Sequence, residues 1–298
     1  MFIKKCLIVI PTRNRSYLIR KTINNLIKLN FNPKKIVVID SSDAKNSKKN
    51  NIFFNKKKIN FINSKPSISH QRNLGINFAK KFYELNYLMF LDDDIHLNKK
   101  SIINMNLGIK KNKDISVYGF NQISKKNYTL FDKIKQISLV EKLGLYHGKK
   151  GKVLKSGFQT IINNIEYDMK SEWISFAATV CKYKHIKNFK FDETFGEYSY
   201  LEDLDFSLSL KKKLMIISDA TYLHYKDIER TSFKFGFIEV VNRHKIVSKH
   251  DLSKISFYKM ILIKIFLNFI SIFFRNIHLS QRFVGNLVGI IYTIFLSN

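Results

Sequence analysis

Acid is scarce in this sequence: 23 aspartates and glutamates stand against 52 lysines and arginines in 298 residues, a formal charge of +29. Such an excess favours polyanions, whether nucleic acid, an anionic membrane surface or phosphorylated substrates. Lysine, asparagine and isoleucine are over-used together, however, so the charge reflects a compositional bias and does not single out nucleic acid as a partner. Cysteine is scarcer still. Cys6 and Cys181 both sit in apolar, strand-like runs and offer no framework for disulfides or zinc, which points to a reducing, cytoplasmic setting. The first 70 residues contain no glycine, which excludes a Gly-rich phosphate loop at the N-terminus. No internal repeat is present. The opening MFIKKCLIVIPTRNR has a short apolar stretch, cut by Pro11 and Arg13 with no small-residue cleavage site after them. It reads as a first β-strand and not as a signal peptide.

What is abundant is core material. Apolar residues make up 45% of the chain and aromatics 14%, enough to bury a full core and unlike a disordered chain. Residues 6–10, 36–39, 59–62 and 87–91 are short buried-strand runs. Residues 16–30, 69–84 and 101–111 carry apolar side chains at helical spacing. This alternation predicts an α/β fold with a mainly parallel sheet flanked by helices. Thr12, Asp40 and the aspartates at 92–94 all fall just past strand ends, where ligands gather in such sheets. Residues 121–172 are irregular, lysine-rich and dotted with glycines, and read as a variable insertion. Strand-like character returns at 173–181 and 214–218, on either side of a helical stretch at 200–213.

The few acids are unevenly placed. Residues 92–94 and 192–205 hold nine of the 23, and two acidic clusters in a basic chain suggest one shared site. Asp92, Asp93 and Asp94 close an apolar strand, where their mutual repulsion asks for a cation. An Asp-x-Asp step at a strand end suits a divalent metal held against a phosphorylated substrate.

The tail differs again. After Asp251 there is no acid. Lys264, Asn268, Ser271 and Arg275 fall at i, i+4, i+7 and i+11, a single polar stripe on an otherwise apolar helix. The uncharged stretch 265–274 and the longer 283–298 are both below the roughly 20 residues that span a bilayer. A basic amphipathic helix lying in the membrane interface fits better; closure of a homodimer by the apolar face is the alternative. The expected division is an α/β domain at 1–225, with 121–172 as its variable insertion, and a helical membrane-associating or dimerising region at 226–298.

The strings IVIPTRNR, VVIDSSD, HQRNLG, FLDDDI, WISFAATVCK and FDETFGEYSYLEDLDFSLSL occur in the order found in family 2 glycosyltransferases, and residues 4–225 resemble that family. The resemblance implies a GT-A fold and transfer of a sugar from a nucleotide-sugar donor with inversion at the anomeric carbon. The type most resembled is rhamnosyltransferase-like and builds bacterial surface polysaccharides or lipid-linked glycans. It implies Mg²⁺ or Mn²⁺ held by Asp94 and Asp92, with His224 as a further ligand. Asp203 of the Glu202-Asp203 pair is implied as the base, with Glu202 orienting the acceptor or tuning its neighbour. Thr12, Arg13, Asp40 and Arg72 are implied to contact the donor, with Asp92 near its ribose. Asp93 is grouped with the donor residues, chiefly as a spacer. The Gln-x-x-Arg-Trp motif of processive synthases is lacking, so one sugar per acceptor is expected. The implied acceptor is a glycan or lipid-linked glycan, and the implied location is peripheral, on the inner face of the cell membrane. The rival outside catalysis is a silent GT-A-like protein that binds polyanions or membranes.

Overall fold

A computed structural model of the protein describes residues 1–124, 148–225, 231–273 and 279–295. The chain packs as two compact units. Among the described residues, one comprises 1–124 and 162–225, and the other 148–161, 231–273 and 279–295.

The first unit is built on a sheet whose strands are β1 (Cys6–Thr12), β2 (Ile36–Asp40), β3 (Asn60–Asn63), β4 (Tyr87–Leu91), β5 (Ile95–His96), β6 (Val117–Gln122), β7 (Met169–Ser171), β8 (Ala178–Lys182) and β9 (Leu214–His224). Their order is β3-β2-β1-β4-β8-β6-β9-β5, with β7 also paired to β9. Strands β3, β2, β1 and β4 run parallel, as do β6 and β9, while β8 runs antiparallel between β4 and β6. The apolar run of β1 shows why the sheet is covered on both sides. Cys6, Ile8 and Ile10 enter one core, and Leu7 and Val9 the other, as the two-residue period of a strand requires.

Helices α1 (Ser16–Lys28), α2 (Ala44–Lys56), α3 (Ile68–Ala79) and α4 (Lys99–Lys111) provide the crossovers, and α5 (Glu202–Leu210) precedes β9. Apolar periodicity does not signal α2, which buries only Asn50 and Phe54. Its start is set instead by Asp43, whose carboxylate accepts from the Asn46 amide at 2.9 Å, a side-chain cap. Strand β6 is equally quiet in the sequence because Gly119 and Asn121 interrupt its apolar run. Asn121 is nonetheless buried, and its side chain bonds the Ile165 backbone in both directions at 2.9 Å.

Helix α3 lies unusually close to β1. A Cβ on Gly75 would stand 2.2 Å from Val9 Cγ1. Gly75→Ala must therefore displace the helix or the Val9 rotamer, at a cost of about 1–3 kcal/mol for overpacking. A fall in the urea midpoint with an unchanged slope is the expected result; an unchanged midpoint would show that α3 can shift freely.

The second unit consists of residues 148–161 with helices α6 (Phe233–Lys249), α7 (Lys254–Phe273) and α8 (Ser280–Phe295). Part of the expected insertion thus packs with the C-terminal helices and not with the sheet. Arg243 on α6 accounts for this: it donates to the Gly157 carbonyl and to Gln159 Oε1 at 2.9 Å, and its guanidinium lies 3.9 Å from the Phe158 ring centre. Of the rest of that insertion, 121–124 and 162–172 belong to the sheet unit, with 169–171 forming β7, while 125–147 lies outside the described residues, as does Arg275 of the predicted polar stripe. Among the described residues, no helix is long and apolar enough to cross a membrane.

Candidate active site

The carboxyl ends of β1, β2 and β4 meet at one edge of the sheet, because those strands run parallel. The antiparallel β8 brings its N-terminal end to the same edge, where the Asp92 amide donates to the Ala177 carbonyl at 2.8 Å. β9 ends there too, with His224 paired to Ile95.

The three aspartates point in three directions. Asp93 is buried; its carboxylate accepts from Thr12 Oγ1 at 2.6 Å and from Arg15 at 3.1 Å. Burial pushes the Asp93 pKa up to about 7, against the pull of Thr12 and Arg15. Asp94 is also buried, with one oxygen 3.2 Å from Arg15 and the other 3.3 Å from His224 Nδ1. Asp92 is the open one: its side chain is 34% exposed and meets Arg72 at 3.3 Å. Burial raises the Asp92 pKa, and Arg72 opposes the shift. Repulsion within the triplet is thus relieved in part by two arginines.

Arg15 is the residue that sequence reasoning missed. The resemblance singled out Arg13, but Arg13 is exposed and pairs with Glu197 at 3.4 Å. Between the two, Asn14 adopts φ 55°, a left-handed conformation that asparagine tolerates better than most residues. The chain reverses there, so that Arg13 faces Glu197 and Arg15 the aspartates. An asparagine between two arginines just past a strand was the only available signal. Thr12 and Asp40 are both buried. Asp40 accepts from the Ser42 amide at 2.9 Å and from Asn50 Nδ2 at 3.0 Å, which closes the turn after β2.

Arg72 is the hub. It sits on α3, whose first turn is capped by Ser67 accepting from the His70 amide at 3.3 Å. Its side chain is 2% exposed and reaches Glu202 at 2.8 Å, Asp203 at 2.7 Å and Asp92 at 3.3 Å. The Phe176 and Phe191 rings flank it, with centres 5.9 and 5.3 Å from the guanidinium carbon. Burial disfavours the Arg72 charge, but Asp203, Glu202 and Asp92 outweigh that and raise its pKa. The two acidic clusters, about a hundred residues apart in the chain, are therefore joined through one guanidinium. Glu202 and Asp203 open α5 from Leu201, itself at φ 74°, where the helix dipole favours acids. Burial raises the Glu202 pKa well above the ordinary value, with Asp203 adding to the shift and Arg72 opposing it. Asp203 is the more exposed of the pair; its second oxygen accepts from the Phe176 amide at 3.0 Å.

Five carboxylates (Asp92, Asp93, Asp94, Glu202 and Asp203) thus gather around the guanidinium groups of Arg15 and Arg72, and that imbalance suits a cation. Among the described residues, no group of three or more His, Cys, Asp or Glu side chains is arranged to hold a metal ion. The expected trio of Asp92, Asp94 and His224 is instead a pair, Asp94 with His224, while Asp92 turns to Arg72. One carboxylate beside an imidazole fits Mn²⁺ better than Mg²⁺, for which imidazole is an uncommon ligand; with Mg²⁺, Asp94 alone would serve, the shell being completed by phosphate oxygens and water.

Residues 7–168 match the model of the family described as glycosyl transferase family 2. Among solved structures, that of S. aureus TarS 1-349 resembles this one with a TM-score of 0.54 at 15% identity, over 98% of this chain and 81% of that one. The crystal structure of GalNAc-T7 with UDP, GalNAc and Mn²⁺ resembles it with a TM-score of 0.51 at 13% identity, over 76% of this chain and 44% of that one. At such identities the likeness is one of fold. No curated protein matches the sequence.

Proposed function

The chain belongs to glycosyl transferase family 2, and from that premise we propose an inverting, metal-dependent transferase that moves one sugar at a time from a nucleotide-sugar donor to a hydroxyl of a lipid-linked or surface glycan. That it is a glycosyltransferase follows from the family; the rest is our reading. One observation carries it: Arg72 ties Asp92, on the donor side, to Glu202 and Asp203, on the acceptor side.

In this reading Asp203 accepts the proton of the acceptor hydroxyl as its oxygen attacks the anomeric carbon. The carbon–oxygen bond to the diphosphate breaks as the new one forms, and the electron pair leaves with the diphosphate. General-base assistance of this kind is typically worth about 10²–10⁴ in rate. Arg72 holds Asp203 in place through one oxygen, and the Phe176 amide does so through the other. Glu202, buried and with a raised pKa, orients the pair and is not itself the base. Asp94 and His224 would hold the metal, which when bound neutralises the charge on the departing diphosphate. Arg15 bridges Asp93 and Asp94 through one guanidinium nitrogen, and Thr12 fixes the other oxygen of Asp93. Asp40 and Arg13 lie at strand ends suited to the nucleoside, and Asp92 to the ribose. The rhamnosyltransferase-like subtype belongs to the same proposal.

The test is a panel of UDP-, GDP-, CMP- and dTDP-sugars with and without Mn²⁺, read by calorimetry and by turnover. One nucleotide should bind in a Mn²⁺-dependent manner, and EDTA should abolish transfer. Asp94→Ala should weaken that binding at least about tenfold, since even groups one step removed from a metal cost 10–100-fold. Binding and turnover indifferent to both EDTA and Asp94→Ala would sink the metal-dependent reading.

A further inference from the structure

The C-terminal unit buries an apolar cluster that includes Val240, Val247, Phe257, Ile261 and Ile265, and it buries a polar one as well: Glu239 on α6 is bonded by Lys264 of α7, and by Arg282 of α8 at 2.8 Å. Asn286, with 0% exposure, donates to the Gly236 carbonyl at 2.9 Å and accepts from Asn268 at 3.2 Å. The stripe of Lys264 and Asn268, whose place on an amphipathic helix would ordinarily be the water-facing side, thus points inward. Helices α6 and α8 meet backbone to backbone. A Cβ on Gly236 would stand 2.2 Å from the Arg282 carbonyl oxygen, and one on Gly285 would stand 2.1 Å from that of Phe233. Close approach through small residues, with polar groups bonded between helices, is the packing used where apolar surroundings remove the hydrophobic drive for association.

One stretch of the outside is apolar too. Leu262, Phe266 and Phe269 project from α7, and Val284, Leu287 and Ile291 from α8, each more than a third exposed. Phe269 lies 5.6 Å from Phe283, ring centre to ring centre, which joins the two faces. Surface of this kind marks an interaction site on a soluble chain.

We propose that this face docks into the headgroup and acyl boundary of an anionic bilayer, lying in one leaflet without crossing. Charge selects lipid over a second copy of the chain. Lys254 and Lys259 are exposed on α7, and residues 252–298 contain no acid. Two copies meeting through this face would set lysine against lysine with no acid to pair. Anionic headgroups supply the missing charge, and the lysine stems can reach them while the apolar face stays buried. Charge and hydropathy select lying over spanning: α7 carries Lys254, Lys259 and Lys264 along its 20 residues, and among the described residues no helix is long and apolar enough to cross a membrane, as a span of about 20 predominantly apolar residues must be.

Flotation of the full chain with phosphatidylcholine vesicles containing phosphatidylglycerol tests this. The protein should float with the vesicles and remain bound at about 1 M salt, where electrostatic attraction is screened within about 3 Å. Leu287→Glu should lower the bound fraction at least tenfold. Ile291→Trp keeps the face apolar and should add fluorescence that brominated lipid quenches beyond the wild-type signal. Failure of the wild type to float, release at high salt, a Leu287→Glu chain that floats like wild type, or an unquenched Trp at 291 would each overturn the proposal. So would a stable dimer that ignores the vesicles, in favour of a second copy.

Discussion

Asp203→Asn is expected to lower sugar transfer by about 10²–10⁴-fold, the usual worth of a general base, while leaving nucleotide binding unchanged. The substitution is nearly isosteric but removes the proton acceptor. It also poses a hydrogen-bonding problem that bounds its structural cost. Asp203 accepts from Arg72 through one oxygen and from the Phe176 amide through the other, whereas asparagine has one oxygen and one NH₂ group. If the amide oxygen keeps Phe176, an NH₂ group faces a guanidinium. Arg72 retains Glu202 and Asp92 as partners, so the fold should survive with a modest loss of stability. Calorimetry of donor binding alongside turnover separates the outcomes. Wild-type turnover would remove Asp203 as the base, while loss of donor binding together with activity would make it a structural residue.

Glu239→Gln should have the largest effect on stability. Burial alone would raise the Glu239 pKa, but Lys264, Arg282 and Arg243 outweigh it and hold the carboxylate well below its ordinary range. Removing its charge leaves those cations buried without their counter-ion, and breaking a buried pair from one side typically costs about 3–5 kcal/mol. The same cause fixes the pH dependence. A carboxylate whose folded pKa is depressed contributes stability that is present above its unfolded pKa of about 4.3, and that stability is lost as pH falls toward the folded value. Hydrogen-exchange protection in α6, α7 and α8, taken relative to the intrinsic amide rate at each pH, should therefore fall below about pH 4 in the wild type. In Glu239→Gln that protection should already be low at neutral pH, with little further change from this group on acidification. Exchange in the variant that matches wild type at pH 7 would show that the cluster contributes no net stability.

Much of the catalytic unit was legible residue by residue. The apolar run 87–91 is β4 without adjustment, and the helices at 16–28 and 99–111 begin within two residues of where the spacing places them. These elements announce themselves because each buries a face whose period matches its own geometry. Helix α2 and strand β6 do not, since one is set by a cap and the other buries an asparagine that tertiary partners satisfy. The orientation of β8 was also hidden, because an antiparallel strand buried on both faces reads like a parallel one.

The sequence by itself determined the family, the α/β alternation and the residues gathered at the strand ends, since strand-end position and acid scarcity are properties of the linear chain. It also singled out the Asp92–Asp94 triplet and Glu202-Asp203 as halves of one site. Only the tertiary structure decided that a single buried arginine joins those halves, that Arg15 and not Arg13 faces the aspartates, and that the polar stripe of the tail points inward. Each of those facts depends on a partner far away in sequence or on one backbone angle at Asn14. Local periodicity reports which face of an element is polar; it cannot report whether that face meets water, a carboxylate or another helix.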